Sequence, residues 1–168
     1  KKIVIAGGGI LGSQIAFQTA YCGFDVTVLV RKEDAAEELK EKLKKLSDTY
    51  KETIELMAKE GKSSSNWARG IVGTNDFKKE ECLDKVEKAL NSIKIETDQK
   101  AAVEDADLII ESITENFDVK TALYKELAPL LPEKTVIVTN SSTLLPSKLA
   151  KFTGRPEKYL SLHFAKTI

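Results

Sequence analysis

Apolar and polar positions along this chain follow two patterns. Short runs of branched apolar residues recur at residues 2–6 (KIVIA), 25–30 (DVTVLV), 108–113 (LIIESI) and 135–139 (TVIVT). Each has strand length, is rich in Ile and Val, and borders Gly, Asp or Asn, which predicts strands buried on both faces of a parallel sheet. Residues 93–96 and 159–163 read as two further strands. Between the runs, residues 11–22 form a small-residue apolar helix stopped by Gly23, and residues 116–131 form a helix ended by Pro132. Residues 100–104 and 146–152 read as short helical pieces. Alternating strand and helix predicts an α/β fold with a mostly parallel, doubly wound sheet.

One stretch breaks the alternation. From about residue 34 to 61, Leu39, Leu43, Leu46, Tyr50, Ile54 and Met57 recur every three or four positions with Lys and Glu between them. That is a long amphipathic helix with a single apolar stripe. A loop rich in Ser follows at 61–65, and residues 77–91 read as a second helix with Leu83, Val86 and Leu90 on one side. The pair predicts a helical hairpin, about 34–91, inserted within one domain spanning 1–168. Its stripe is expected to pack within the hairpin or against the sheet; the alternative is an interaction arm.

Composition narrows the function classes. Equal numbers of basic and acidic residues, 26 each, give no basic excess for nucleic acid or an anionic membrane. The apolar run after Ile3 is too short and too rich in Gly to span a bilayer, and the basic start runs straight into a strand and turn rather than a signal peptide. Cys22 and Cys82 are isolated, without metal-ligand spacing, so no metal is expected and both are read as reduced thiols of a cytoplasmic protein.

The strongest motif is Gly7-x-Gly9-x-x-Gly12, placed between the first strand and the first helix. In that context it is the dinucleotide-binding fingerprint of a Rossmann fold. Gly7 allows a tight turn, Gly9 lets a pyrophosphate approach the backbone, and Gly12 lets helix and strand pack closely. Ile10 and Leu11 open the helix whose free N–H groups face the phosphates. An acid about 20 residues further on usually reads the ribose of NAD. Here that position is Val30, followed by Arg31 and Lys32. Arg31 can grip a 2′-phosphate in a bidentate fork, so the cofactor is NADP or NAD with a lean toward NADP. The other reading has Arg31 and Lys32 solvated and Glu33 or Asp34 on the ribose.

Ligands of open parallel sheets bind beyond the carboxyl ends of the strands. Three polar groups fall there: Glu111 to Glu115, Asn140-Ser141-Ser142-Thr143, and His163, the sole histidine. His163 can exchange a proton with a hydroxyl or ketone oxygen during hydride transfer, or it can be a packed, inert imidazole between Leu162 and Phe164. Ser142 can donate a hydrogen bond to the same oxygen, or simply shape a turn and cap a helix.

The segments GGGILGSQIA, ESITENFDVK, TNSSTLLPS and LSLHF, in that order, resemble the N-terminal domain of 3-hydroxyacyl-CoA dehydrogenases, and TNSSTLLPS with LSLHFA is similar to the bacterial diketoreductase branch. The resemblance implies hydride transfer between NAD(P) and C3 of a 3-hydroxyacyl-CoA or 3-ketoacyl-CoA, with His163 as catalytic acid/base and Ser142 on the substrate oxygen. It implies that Glu115 and Lys120 lie near the nicotinamide side of the cofactor, that Asn140 helps shape the site, and that the full-length parent is a homodimer. Family CoA contacts come from a Ser and a Lys of the hairpin. Leu46 and Thr53 fall near those positions, with Ser47 and Lys51 close by. A free β-diketo or β-keto ester is therefore an alternative substrate, and a non-catalytic NAD(P)-binding module an alternative role.

The chain departs from the family at three points: Val30 replaces the ribose acid, Lys166 replaces an Asn three residues after the histidine, and the chain stops at Ile168. The Glu that orients the histidine and the C-terminal helical domain for substrate and dimer contacts lie beyond that point in the family. The 168-residue chain is therefore expected to bind cofactor and to turn over poorly.

Overall fold

The computed structural model describes residues 1–65 and 67–164; Lys166, singled out above, lies outside them. Six parallel strands form one sheet: β1 (Lys2–Ala6), β2 (Asp25–Leu29), β3 (Lys94–Glu96), β4 (Leu108–Glu111), β5 (Val136–Thr139) and β6 (Tyr159–Ser161), in the order β3-β2-β1-β4-β5-β6. That is the doubly wound Rossmann order, with the switch point between β1 and β4. Among the described residues, six α-helices connect the strands: α1 (Ile10–Tyr21), α2 (Glu33–Glu60), α3 (Lys79–Ser92), α4 (Gln99–Val103), α5 (Phe117–Leu127) and α6 (Pro146–Leu149).

The strands are continuous apolar runs because both faces of the sheet are covered. Ile3 and Ile5 face one core with α1, α2 and α3, while Val4 and Ala6 face another with Val103, Tyr124, Leu127 and Leu149. Helix α1 lies between the sheet and the hairpin, and Ala16 and Phe17 are wholly buried. That sandwiching explains why its sequence lacks a polar stripe. The hairpin does pack its own stripe, and it also packs it on α1: Phe17 meets Tyr50 with ring centroids 4.8 Å apart, and Tyr50 meets Tyr21 at 5.5 Å.

Register sets the functional edge. Glu96 pairs with Leu29, Leu29 with Ala6, Ala6 with Glu111, Glu111 with Thr139, and Thr139 with Ser161. All six strands therefore end in one row, and the next residues (Thr97, Val30, Gly7, Ser112, Asn140 and Leu162) open along one edge.

Several boundaries differ from those expected. Helix α5 ends at Leu127 and passes into a 3₁₀ turn, Ala128–Leu130, because Pro129 has no amide to continue the α-helix. Strand β4 stops at Glu111, where Ser112 donates its last bond to Ala6 and the β1 chain turns away at Gly7. Strand β6 stops at Ser161 because β5, its neighbour among the described residues, ends at Thr139; His163 follows the strand instead of belonging to it. The second hairpin helix is Lys79–Ser92. Among the described residues no helix is long and apolar enough to cross a membrane.

Candidate functional site

The glycine loop sits at the switch point. Gly7 has φ 118°, a left-handed value, and a Cβ there would lie 2.5 Å from the Ser112 carbonyl oxygen. A Cβ on Gly12 would lie 2.1 Å from the Gly7 carbonyl oxygen, so the absence of a side chain lets α1 touch the loop. Gly9 differs: nothing of the protein comes within 4 Å of a Cβ there. Space left open by the protein at the N-cap of a helix suits a ligand. Gly9 offers no side-chain cap to α1, and the first turn of α1 holds no acid. The amides around Ile10, Leu11 and Gly12 thus keep their positive end for an anion. These features fit the pyrophosphate of a dinucleotide.

A cleft of about 810 Å³ opens from this loop. Its walls are Gly7–Gly9, the end of β2 with Val30, Arg31 and Lys32, the start of α2, and Ser112–Thr114 after β4. Arg31 and Lys32 are exposed at its rim, and Val30 is buried. Glu33 accepts from the Thr97 hydroxyl through one oxygen at 3.1 Å.

Beyond β4 lies a buried polar network. The Glu111 carboxylate and the Lys120 ammonium are both fully buried, and Lys120 donates to both carboxylate oxygens at 2.7 and 2.8 Å. Tyr124, Thr139 and the Ile113 amide complete the donors to Glu111 at 2.8, 2.7 and 2.9 Å. Burial, then the Glu111 carboxylate, pushes the Tyr124 hydroxyl far above the usual tyrosine range, so it remains a donor. Lys120 also reaches Glu115 at 3.2 Å.

Glu115 binds the loop after β5. One of its oxygens accepts from the Ser141 hydroxyl, from the Thr143 hydroxyl at 3.0 Å, and from the backbone amides of Ser142, Thr143 and Leu144 at 3.1, 3.0 and 3.3 Å. Successive amides converging on one anion form a nest. Burial raises the Glu115 pKa, but the Ser141, Thr143 and Lys120 donors outweigh it and hold the carboxyl at about 2. The sequence carries no sign of this anchoring role, which is distinct from the cofactor contact that the family resemblance implies for Glu115. A Glu 26 residues before the loop it holds leaves no local signal.

The loop carries Ser142, which is exposed. Asn140, nearly buried, accepts from the Phe164 amide at 2.7 Å through Oδ1, and Leu162 donates to the Thr139 carbonyl at 2.9 Å. His163 is thereby fixed between two backbone anchors at the ends of β5 and β6, and its side chain is exposed. Asn140, Ser142 and His163 thus share one edge of the sheet with the glycine loop. Lys120 is sealed in its ion pairs with Glu111 and Glu115. In the hairpin, Ser47 is buried, Lys51 pairs with Glu87 at 2.5 Å, and Thr53 donates to the Thr49 carbonyl.

The glycine loop, the switch-point cleft and the row of polar strand ends define a dinucleotide-binding domain of the Rossmann type. Residues 2–167 match the family described as 3-hydroxyacyl-CoA dehydrogenase, NAD binding domain, and the chain belongs to that family. The mitochondrial hydroxyacyl-coenzyme A dehydrogenase of Sus scrofa is 32% identical over 98% of this chain and 46% of its own length. A probable 3-hydroxybutyryl-CoA dehydrogenase of Bacillus subtilis is 30% identical over 100% of this chain and 50% of its own. Among solved structures, a diketoreductase described for dual catalysis of dicarbonyl compounds superposes with a TM-score of 0.78 and 39% identity, covering 98% of this chain and 50% of that one. The chain spans about half the length of these relatives.

Proposed function

We propose that this chain is the cofactor-binding half of an oxidoreductase that moves a hydride between NAD(P) and C3 of a 3-hydroxyacyl-CoA or 3-ketoacyl-CoA. The observation that carries the reading is the joint fixing of Ser142 and His163 on the same sheet edge as the glycine loop, through the Glu115 nest and the Asn140–Phe164 bond. A module that only bound cofactor would need neither anchor. When bound, the nicotinamide supplies or accepts the hydride. His163 takes the hydroxyl proton as C3 is oxidised and returns it to the oxygen on reduction. Ser142 donates a hydrogen bond to that oxygen. With Gly7 shaping the turn and Gly9 leaving room, the Ile10, Leu11 and Gly12 amides would hold the pyrophosphate, and Glu115, Lys120 and Asn140 would order the nicotinamide side.

The cofactor reading leans to NADP(H). Val30 offers no acid to the ribose, Glu33 is engaged by Thr97, and Arg31 stands at the cleft rim. Titrating the chain with NADH and NADPH, by calorimetry or cofactor fluorescence, is the test. NADPH preference lost in Arg31→Ala supports the reading, and NADH preference overturns it.

A second substrate class has its own support. Ser47 is buried and Lys51 is paired, so neither is poised as a CoA contact, and the diketoreductase relative is described for dicarbonyl compounds. Comparing acetoacetyl-CoA with a free β-diketo ester on the full-length protein separates the two. The same reading includes a homodimeric parent and a cytoplasmic location, and it assigns no role to nucleic acid or membrane.

A further inference from the structure

The inserted helix reaches the cofactor cleft. Gly8, the middle residue of the triple glycine, is pressed between β2 and α2. A Cβ there would lie 2.9 Å from Val30 Cγ1 and 3.3 Å from Leu39 Cδ2. Such close packing sets α2 directly against the loop, and one turn beyond Leu39 stands Lys42. Its ammonium donates to the Gly8 carbonyl at 3.2 Å, and its side chain, 35% exposed, helps line the same cleft as Val30, Arg31 and Lys32.

We propose that Lys42 is a cofactor-selecting residue: it joins Arg31 and Lys32 in a cationic subsite for the 2′-phosphate of NADP(H). The proposal rests on the Arg31 reading of the cofactor given above and adds to it a residue from outside the βαβ unit. Lys42 has the chemistry for this. An ammonium has three donors. Of its two partners, the Gly8 carbonyl is at ordinary hydrogen-bond length, and Glu38 is distant at 3.7 Å on an exposed, solvent-screened carboxylate. Capacity for an anion remains. The Gly8 bond anchors the amine at the loop, beside the end of β2, where the ribose of a dinucleotide lies in this fold. Two acids also line the cleft, Glu38 and Glu126. Glu126 accepts from Gln99 at 2.7 Å across the α4–α5 wall. Three cations against these two acids favour a dianion over a neutral diol.

The test uses the adenosine half of the cofactor alone. Dissociation constants for 2′,5′-ADP and 5′-AMP are measured on the wild-type chain, Lys42→Gln, Lys42→Met and Arg31→Met, with a melting curve for each. Glutamine removes the charge and retains an N–H donor on a side chain one bond shorter, and methionine removes charge and donor together. The expected result is that wild type prefers 2′,5′-ADP, and that Lys42→Gln cuts the preference about tenfold while 5′-AMP binding moves less than about twofold. Lys42→Met should do the same, and in both variants the salt dependence of 2′,5′-ADP binding should weaken. Equal loss for both ligands means that Lys42 serves the loop alone and overturns the proposal. A preference that survives Lys42→Gln but falls in Arg31→Met overturns the Lys42 role and leaves the NADP reading standing. A wild type indifferent to the 2′-phosphate overturns both.

Discussion

The glycines of the loop do different work, and single alanines separate it. Gly12→Ala places a methyl 2.1 Å from a backbone oxygen that cannot swing aside, so α1 must shift. A cost of about 3 kcal/mol is expected, at the upper end for overpacking, read as a lowered Tm together with weakened cofactor binding. Gly9→Ala meets nothing within 4 Å. Its Tm should stay near wild type while cofactor affinity falls about tenfold or more, a loss of about 1.4 kcal/mol, because the methyl fills space that only the ligand claims. If Gly9→Ala binds NAD(P)H as tightly as wild type, the pyrophosphate does not lie where the loop invites it. Lys120 gives a contrasting case. Lys120→Met strands the Glu111 carboxylate among buried neighbours and removes a partner of Glu115. Breaking a fully buried pair from one side costs about 3–5 kcal/mol, so chemical denaturation of this variant should show a large fall in midpoint. Glu111→Gln with Lys120→Met tests the origin of that loss, since removing both charges should recover part of it.

Among the elements, the loop after β5 carries the clearest pH dependence. Its anchor, Glu115, has a carboxyl held down at about 2 against an ordinary 4.5. A depressed carboxylate contributes stability that is fully present above its unfolded value and is lost as pH falls through the folded one. The Ser142–Leu144 nest should therefore hold from neutrality to about pH 4.5 and release as pH falls toward 2. Amide shifts of Ser142 and Thr143 followed by NMR should titrate in that window, and Glu115→Gln should abolish the titration. The strands were legible in the sequence because burial on both faces writes an unbroken apolar run; the hairpin was legible because its helices bury one face each. Strand ends were less so. They depend on where the neighbouring strand runs out, as β6 shows at Thr139. Among candidate site residues, the glycine loop announced itself through local spacing; strand-end position made Ser142 and His163 candidates, and only the family resemblance gave them roles. The Glu115 nest and the Lys42 contact join residues 26 to 29 and 34 apart. Nothing local encodes them; tertiary packing creates them.

For the whole molecule, binding and turnover make different demands. The cleft proposed for the adenosine half is bounded by the chain's own β1 and β2, the segment after β4, and α2, α4 and α5, and the space at Gly9 is open. Binding at this end asks for no further wall. Saturating cofactor at about 100 times its Kd should raise stability by about 2.7 kcal/mol through mass action, visible as a higher Tm. The reacting end is different. Ser142 and His163 are held by their backbones but exposed in side chain. Proton exchange beside a hydride transfer gains from a dry site that fixes the imidazole tautomer, and these side chains stand in water. The 168-residue chain should therefore show the cofactor-induced rise in Tm while oxidising NAD(P)H only slowly with acetoacetyl-CoA or a free β-diketo ester. A longer protein that carries this chain at the length of its relatives, assayed at the same cofactor saturation, should turn over, and His163→Ala in it should lose about 10²-fold or more, the range for a general acid–base group. A robust rate from the 168-residue chain would mean that these two exposed side chains suffice without a cover. Activity retained in a His163→Ala variant of such a longer protein would instead move the proton transfer to another group and leave His163 as an exposed side chain after β6.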